Sequence, residues 1–319
     1  MELQFGLPNG RQARAIARAM QIDRRHVCRP FDQRQEPASE GCANPELAAR
    51  AIKAALADAG LAIGEIGYLI GHTATPLQPL PSNIALVADL IGYQGPHAEF
   101  RQACAGFANA LAMAFGLLSA PDALPVMIVG SETGSLFFDP VAAASDDGQL
   151  VNLVQMGDGA AAVVVGRPVE GESCVHCAWY GSIGLGRAPG LQMRHNALDF
   201  VHDFAAIAAN GGLLFDAGRS ALAAHGHRPQ DADIIIPHQV SGSIGHQLAS
   251  YLGVPADRMF VNGGYLGNTG SAAIWMALAE LRDTGIADGT RVMVLGAEAT
   301  KYMHGGFVYD HVARPHRSQ

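Results

Sequence analysis

Apolar residues occur in two different patterns along this chain. Within 45–60, Ala48, Ile52 and Leu56 recur at helical spacing, which predicts a helix with one buried face. Residues 66–72 instead form a short apolar run, which predicts a buried strand. The same two patterns predict further helices over 82–92, 104–119, 211–225, 241–252 and 271–284. They predict further strands over 126–130, 160–165, 174–180, 234–237, 259–262, 291–295 and 306–309.

The order of these elements predicts the fold class. Helices that alternate with short apolar strands are typical of an α/β protein in which largely parallel sheets are layered with helices. The second half of the chain repeats the plan of the first, so we predict two copies of one unit with a boundary near 166–172. We therefore divide the chain into residues 1–168 and 169–319.

The composition is that of a large folded protein. The chain has 319 residues, of which 49% are apolar and 16% are charged, enough for a sizeable buried core. Its net charge of −8 argues against nucleic acid as a partner. No apolar run reaches the length of about 18 residues that a membrane helix needs, so no contact with a membrane is predicted. Residues 1–8 contain no basic region or apolar signal core, so we expect a cytoplasmic protein.

The cysteines and glycines exclude several kinds of site. Five cysteines are too few, and odd in number, for a disulfide framework. Cys174 and Cys177 form a Cys-x-x-Cys, but on a predicted strand they point to opposite faces, and no second ligand pair accompanies them. We therefore predict no metal site. No GxGxxG motif opens a helix after a strand, so a dinucleotide cofactor is not expected either.

Three distant turns carry residues suited to acyl chemistry. Cys104 lies where a strand-like run meets a helical run; there the helix N-terminus favours the thiolate, and backbone N–H groups can bind an oxyanion. His238 follows the predicted strand 234–237, at the end of a strand where α/β sheets bind ligands. Asn268 lies in the glycine-flanked segment Gly267-Asn268-Thr269-Gly270. Each of the three alone is more often structural, but together they suggest covalent acyl transfer through the thiol.

At these residues the chain resembles the β-ketoacyl-acyl-carrier-protein synthase III group of the thiolase-like condensing enzymes. The resemblance extends over nearly the whole chain and rests on seven segments in order: 22–26, 81–82, 103–107, 130–132, 157–160, 237–239 and 267–269. It implies a duplicated thiolase-like fold with five αβαβα layers, in which residues 1–168 carry Cys104 and residues 169–319 carry His238 and Asn268. It also implies a dimer.

The resemblance further implies the roles of the three residues. Cys104 would take an acyl group as a thioester. His238 and Asn268 would hold the thioester carbonyl of a malonyl unit during decarboxylation, and the resulting carbanion would attack the acyl group in a Claisen condensation. No cofactor is expected, because acyl groups arrive on an acyl carrier protein or on coenzyme A.

Substrate contacts follow from the same resemblance. Leu80 falls where family members reach across the dimer to line the partner's acyl pocket. Phe107, Leu214 and Phe215 are candidates for the apolar pocket, with core packing as the alternative. Ala299 and Thr300 replace glycines of a turn that supplies an oxyanion N–H in the family, and they would narrow the pocket. The neighbouring Glu298 either reaches the site or has a solvated or capping role.

The chain also departs from the family. Residues 15–19 fall where typical members carry a Trp and an Arg that hold the adenine of coenzyme A, and they contain no Trp. Residues 139–149, where the family usually has a second Arg contact to the adenine, contain no Arg. Asp216 stands where the carrier-docking surface is basic in the family. These departures suggest a condensing enzyme of a specialised biosynthetic pathway rather than of bulk fatty-acid initiation.

Two other functions remain open. One is an acyltransferase that moves the acyl group from Cys104 to an alcohol or amine without decarboxylation. The other is a scaffold subunit paired with an active ketosynthase-like chain, which the complete set of Cys104, His238 and Asn268 disfavours. Both a homodimer and a heterodimer with a second ketosynthase-like chain are compatible with the sequence.

Overall fold

The computed structural model describes residues 10–29, 38–137, 142–193 and 200–313. The helices of these ranges, excluding single 3-10 turns, are α1 (Gly10–Met20), α2 (Asn44–Ala59), α3 (Asn83–Ile91), α4 (Gly106–Leu117), α5 (Asp147–Gln155), α6 (Phe204–Ala224), α7 (Ile244–Leu252), α8 (Gly263–Leu266) and α9 (Ala273–Asp283). The strands are β1 (Tyr68–His72), β2 (His97–Phe100), β3 (Val126–Glu132), β4 (Gly159–Val165), β5 (Cys174–Ser182), β6 (Leu191–Met193), β7 (Phe200–His202), β8 (Ile234–Pro237), β9 (Arg291–Glu298) and β10 (Met303–Asp310).

Two four-stranded sheets form the framework. The first has the order β2-β1-β3-β4, in which β1, β2 and β3 are parallel and β4 is antiparallel to β3. The second has the order β5-β10-β9-β8, in which only β8 and β9 are parallel. The prediction of largely parallel sheets is therefore correct for the first sheet and wrong for the second. Only residues 299–302 join β9 to β10, and so short a link permits a hairpin but not a crossover.

Three apolar clusters show how the sheets are layered with helices. The central cluster packs α4 and α9 between the two sheets and includes Phe107, Ile128, Ile236 and Trp275. A second cluster packs α2 and α3 on the outer face of the first sheet. A third packs α6 and α7 on the outer face of the second sheet. The result is a five-layer αβαβα arrangement, as the resemblance implied.

The pattern of apolar residues missed several elements. It did not predict α5, whose first turn is capped by the Asp146 side chain accepting from the N–H groups of Gly148 and Gln149 at 2.8 and 3.0 Å. It started α6 too late, because Asn210-Gly211-Gly212 within that helix are poor helix formers. It also missed α1 and the β6–β7 pair.

One predicted strand does not form. Residues 259–262 make a single bridge, between Met259 and Ile235. The backbone N–H groups of Asn262 and Gly263 donate instead to the Gln239 side chain at 2.9 and 3.2 Å. A side chain thus satisfies backbone groups that a neighbouring strand would otherwise bind. Within the described ranges, no helix combines the length and apolar character that crossing a bilayer requires.

Candidate active site

Cys104 lies in the turn between β2 and α4, as the sequence predicts. Its neighbours Ala103 and Ala105 are buried, whereas Cys104 itself keeps partial exposure. The N–H of Ala105, the residue just before α4, points to the carboxylate of Glu298 and donates to Glu298 Oε2 at 2.9 Å. The N-terminus of the helix that follows Cys104 is therefore occupied by a carboxylate of this chain.

Glu298 is the last residue of β9 and is only 2% exposed. Its second carboxylate oxygen accepts from the Thr300 hydroxyl. Burial raises the pKa of Glu298, and the hydrogen bonds from Thr300, Ala105 and Ala103 oppose that rise. The sequence left open whether Glu298 reaches the site or has a solvated or capping role. Its contact with Ala105 agrees with a capping role beside the cysteine turn, and its burial excludes a solvated role.

The pKa of Cys104 shifts in the direction opposite to the one we expected. The helix N-terminus led us to expect a stabilised thiolate. Burial instead raises the pKa of the thiol well above its usual range, and the charges of Glu298 and then Glu132 raise it further. A neighbouring carboxylate disfavours a thiolate because the two charges repel, and here the carboxylate also accepts from the N–H of Ala105 at the start of the helix. These shifts favour the thiol form of Cys104 over the thiolate.

His238 follows β8 and lies beside the end of β9. Its backbone N–H donates to the carbonyl oxygen of Leu295 at 2.8 Å. The next residue, Gly296, lies against the cysteine turn, since a Cβ built there would stand 3.4 Å from the Cys104 carbonyl oxygen. The pairing of β8 with β9 thus brings His238 close to Cys104.

The imidazole of His238 is held neutral. Its side chain is buried, at 6% exposure, and neither ring nitrogen finds a hydrogen-bond partner in the part of the chain that the structure describes. Burial lowers the pKa of His238 to about 4, so the ring carries no charge at neutral pH. A buried ring with an unused N–H can donate a hydrogen bond to a substrate oxygen.

The loop that bears Asn268 is fixed by backbone contacts. The Asn268 N–H donates to Gln155 O at 2.8 Å, and its carbonyl accepts from Gly157 N at 3.0 Å. Gly267 has a φ of 72° and lies so close to Gln155 O that a Cβ would stand 2.7 Å from it. Only glycine suits that position. The Asn268 side-chain oxygen accepts from Gly270 N at 3.0 Å, which leaves the amide NH₂ group to donate elsewhere.

Glu132 ties the asparagine loop to the cysteine turn. It ends β3 and accepts from both the N–H and the hydroxyl of Ser271, at 3.0 and 2.8 Å. The same hydroxyl lies 3.1 Å from the carbonyl oxygen of Gln102. Thr75 donates to the other Glu132 oxygen. Glu132 lies in segment 130–132, one of the seven on which the family resemblance rests, but the sequence analysis gave it no role. An acidic residue at the end of a buried strand was the feature of the sequence that could have indicated one.

Comparisons with known proteins agree with this architecture. The family model for 3-oxoacyl-[acyl-carrier-protein] synthase III matches residues 98–181, and the model for its C-terminal part matches residues 222–308. The β-ketoacyl-[acyl-carrier-protein] synthase III of Rhodobacter capsulatus is 33% identical over 273 residues, which cover 79% of each chain. This chain belongs to the 3-oxoacyl-[acyl-carrier-protein] synthase III family.

Solved structures extend the comparison to the fold. The 3-oxoacyl-(acyl carrier protein) synthase III of Pseudomonas aeruginosa is 26% identical, with a TM-score of 0.78, covering 98% of this chain and 93% of that one. OleA of Xanthomonas campestris is 20% identical, with a TM-score of 0.82 and coverage of 97% and 90%. The predicted thiolase fold and the acyltransferase class of this synthase III-family enzyme are confirmed.

The candidate pocket residues of this synthase III-family chain fall in different places. Leu214 and Phe215 on α6 line a surface pocket, and Leu295 and Gly296 of β9 also line it. The pocket therefore extends to Gly296, the residue that lies against the Cys104 turn. Phe107 does not line it; the ring is buried between Trp275 and Phe307, at centroid distances of 6.0 and 5.9 Å.

The remaining candidates are Leu80, Ala299 and Thr300. Leu80 is 85% exposed in the single chain. Ala299 follows Glu298 in the β9–β10 turn, and its carbonyl accepts from Gly190 N at 3.1 Å. Thr300 contacts the Glu298 carboxylate rather than an open pocket. The binding roles of all these residues stay predictions.

Proposed function

We propose that this enzyme forms a carbon–carbon bond by decarboxylative Claisen condensation on an acyl group carried by Cys104. The observation that carries the proposal is the setting of His238. The imidazole is buried and neutral, and both of its ring nitrogens are without a partner in the described ranges. Its backbone is hydrogen-bonded to Leu295, whose neighbour Gly296 lies against the cysteine turn. Buried polar groups with a purely structural role are normally hydrogen-bonded within the protein. An unpartnered imidazole can instead donate a hydrogen bond to a developing oxyanion of the substrate.

The reaction would proceed in two stages. The Cys104 sulfur attacks an acyl thioester, forms a new thioester bond and releases the donor's thiol. A malonyl thioester then loses carbon dioxide, and the electron pair of the broken bond forms an enolate. The His238 N–H and the Asn268 NH₂ group donate to the enolate oxygen, whose negative charge they stabilise. The enolate carbon attacks the Cys104 thioester and releases the sulfur.

The donor and partner belong to the same proposal. Acyl carrier protein or coenzyme A delivers the acyl groups, and the enzyme requires no metal or organic cofactor. A dimer places Leu80 of each protomer at the acyl pocket of the other.

The surface near Phe215 supports a specialised pathway. Asp216 pairs with Arg219 at 3.0 Å and accepts from the Tyr251 hydroxyl. The charge of Arg219 is thereby balanced, which weakens electrostatic steering of an acidic carrier.

Intact-protein mass spectrometry tests the first stage. The full chain is incubated with a panel of acyl-coenzyme A and acyl-carrier thioesters, and peptide mapping locates the added mass. We expect acylation on Cys104, its loss in Cys104→Ala and its persistence in Cys177→Ala. Acylation of another residue, or none with any thioester, would contradict the proposal.

Release of carbon dioxide from a malonyl thioester tests the second stage. His238→Ala and Asn268→Ala should still be acylated but should release carbon dioxide roughly 100-fold more slowly, as expected for loss of an oxyanion donor. Equal rates in the variants and the wild type would exclude the assigned roles.

Acyl transfer to an alcohol or amine is the second candidate function. The observation that favours it is the buried carboxyl of Glu298 beside the cysteine turn, because a carboxylate can accept a proton from an attacking hydroxyl or amine. Product formation without release of carbon dioxide would favour this alternative.

A further inference from the structure

Glu298 occupies a position in the site that the proposed roles of Cys104, His238 and Asn268 leave unused. The carboxylate binds the N–H of Ala105, the residue directly after the nucleophile. It is almost wholly enclosed, at 2% exposure. A buried carboxylate costs free energy unless several hydrogen bonds compensate it, and here Ala105 and Thr300 supply them.

This location has a consequence for the first chemical stage. A thiol must lose its proton to attack a thioester, because the thiolate is the nucleophile. The site holds the thiol protonated, since burial and the nearby carboxylates raise the pKa of Cys104. Acylation therefore needs a proton acceptor close to the sulfur.

His238 is a poor acceptor. Burial lowers its pKa to about 4, so its ring binds a proton only weakly. Glu132 is the second carboxylate whose charge acts on Cys104, but its effect is smaller than that of Glu298. Both carboxylates accept hydrogen bonds; those of Glu132 come from Ser271 and Thr75 and hold the asparagine loop, whereas Glu298 accepts from the residue next to Cys104. Glu298 is the acid that binds the cysteine turn itself.

We propose that Glu298 is a further catalytic residue, the general base that accepts the Cys104 proton during acylation. The inference rests on the proposed acylation of Cys104. As the sulfur attacks the acyl carbonyl, the S–H proton passes to the Glu298 carboxylate. The bond between the acyl carbon and the donor's sulfur then breaks, and protonated Glu298 returns the proton to that leaving thiolate. The acyl thioester and the Cys104 thiol become the Cys104 thioester and the free donor thiol, so atoms and charge balance.

Glu298→Gln separates a general base from a structural cap. The glutamine amide oxygen can still accept from Ala105 N–H, so the cap is retained, but the negative charge and the basic oxygen are lost. Removal of the charge makes the Cys104 thiol more acidic. Alkylation by iodoacetamide needs only the thiolate, and acylation also needs the proton acceptor.

The experiment measures two rates on the Cys104 peptide by mass spectrometry between pH 6 and 10. One is alkylation by iodoacetamide, and the other is acylation by the best acyl thioester in the absence of malonyl substrate. We expect Glu298→Gln to alkylate about tenfold faster at neutral pH, for a decrease of about one pH unit in the thiol pKa. We expect the same variant to be acylated about 100-fold more slowly.

Two further variants test the assignment. Glu298→Asp keeps a carboxylate, so it should recover part of the acylation rate that glutamine loses. Glu132→Gln removes a negative charge that also raises the pKa of Cys104, so its alkylation and acylation rates should change in parallel. Thermal unfolding of each variant shows whether it is folded, and the ratio of the two rates on folded protein decides the question.

The possible results lead to different conclusions. Slower acylation together with faster alkylation in Glu298→Gln supports the inference. Acylation that is unchanged, or that rises together with alkylation, would show that Glu298 is only a cap and would overturn it. If the wild type is acylated by no thioester, the proposed function itself fails.

Discussion

Replacing His238 with glutamine removes the buried imidazole from the acid titration of the protein. The folded protein holds His238 neutral because burial lowers its pKa from 6.5 to about 4. In the unfolded chain the imidazole is exposed to water and its pKa returns to about 6.5. Above about pH 6.5 the ring is neutral in both states, so His238 does not make the free energy of unfolding depend on pH. Between about pH 6.5 and pH 4 the unfolded chain binds a proton that the folded protein does not, so the free energy of unfolding falls.

The pKa difference sets the size of the effect. Each pKa unit between the folded and unfolded states is worth about 1.4 kcal/mol, so a decrease from 6.5 to about 4 amounts to about 3 kcal/mol once the pH lies below both values. At pH 4.5 most of this loss is present, about 2.5 kcal/mol. The wild type should therefore lose about 2.5 kcal/mol more than His238→Gln between pH 7.5 and pH 4.5.

Urea-induced unfolding, followed by tryptophan fluorescence, measures this difference. Trp179 and Trp275 are both buried, so their emission should report the loss of the core. Both proteins are compared at equal concentration, because dimer formation would make stability depend on concentration. His72, whose pKa burial lowers to about 3, and the buried acids with raised pKa values titrate in both proteins and cancel in the comparison. Equal losses in the two proteins would refute the neutral, desolvated imidazole on which the assigned role of His238 depends.

Three further predictions concern the supports of the site. Glu132→Ala removes the acceptor of two Ser271 hydrogen bonds and one from Thr75; unfolding in urea should show a loss of at least about 2 kcal/mol, and release of carbon dioxide from a malonyl thioester should slow more than acylation of Cys104. Gly267→Ala should lower the midpoint of thermal unfolding by several degrees, since the new Cβ would stand 2.7 Å from Gln155 O. Gly171 has a φ of 80° but no atom within 4 Å of a built Cβ, so Gly171→Ala should cost only the backbone strain of about 1 kcal/mol; equal effects would contradict the crowding at residue 267. Leu80→Asp should reduce the dimer fraction measured by light scattering after gel filtration, since an exposed leucine would be replaced by a charge at the proposed interface; an unchanged dimer would place that interface elsewhere.

The local pattern of apolar residues was sufficient to predict most helices and strands of the fold. The helix predicted over 45–60 is α2, and the strand predicted over 234–237 is β8. Each has an apolar face or run that matches its period. The antiparallel second sheet was not predictable in this way, because strand direction depends on how the chain connects and not on the apolar period of a single strand. The 259–262 segment shows the same limit, since its N–H groups bind a side chain of Gln239.

The electrostatics of Cys104 depended on residues far away in sequence. The turn before α4 was correctly placed from the sequence, and a helix N-terminus alone does favour a thiolate. The sign of the pKa shift was decided by burial and by Glu298 and Glu132, which β9 and β3 bring to the turn. A carboxylate at the end of a strand is visible in the sequence, but whether it binds the helix N-terminus depends on the register of β9 against β8 and β10. The chemistry of this cysteine therefore follows from the tertiary fold, and the acid whose charge disfavours the Cys104 thiolate is also the group that we propose accepts the proton of the Cys104 thiol.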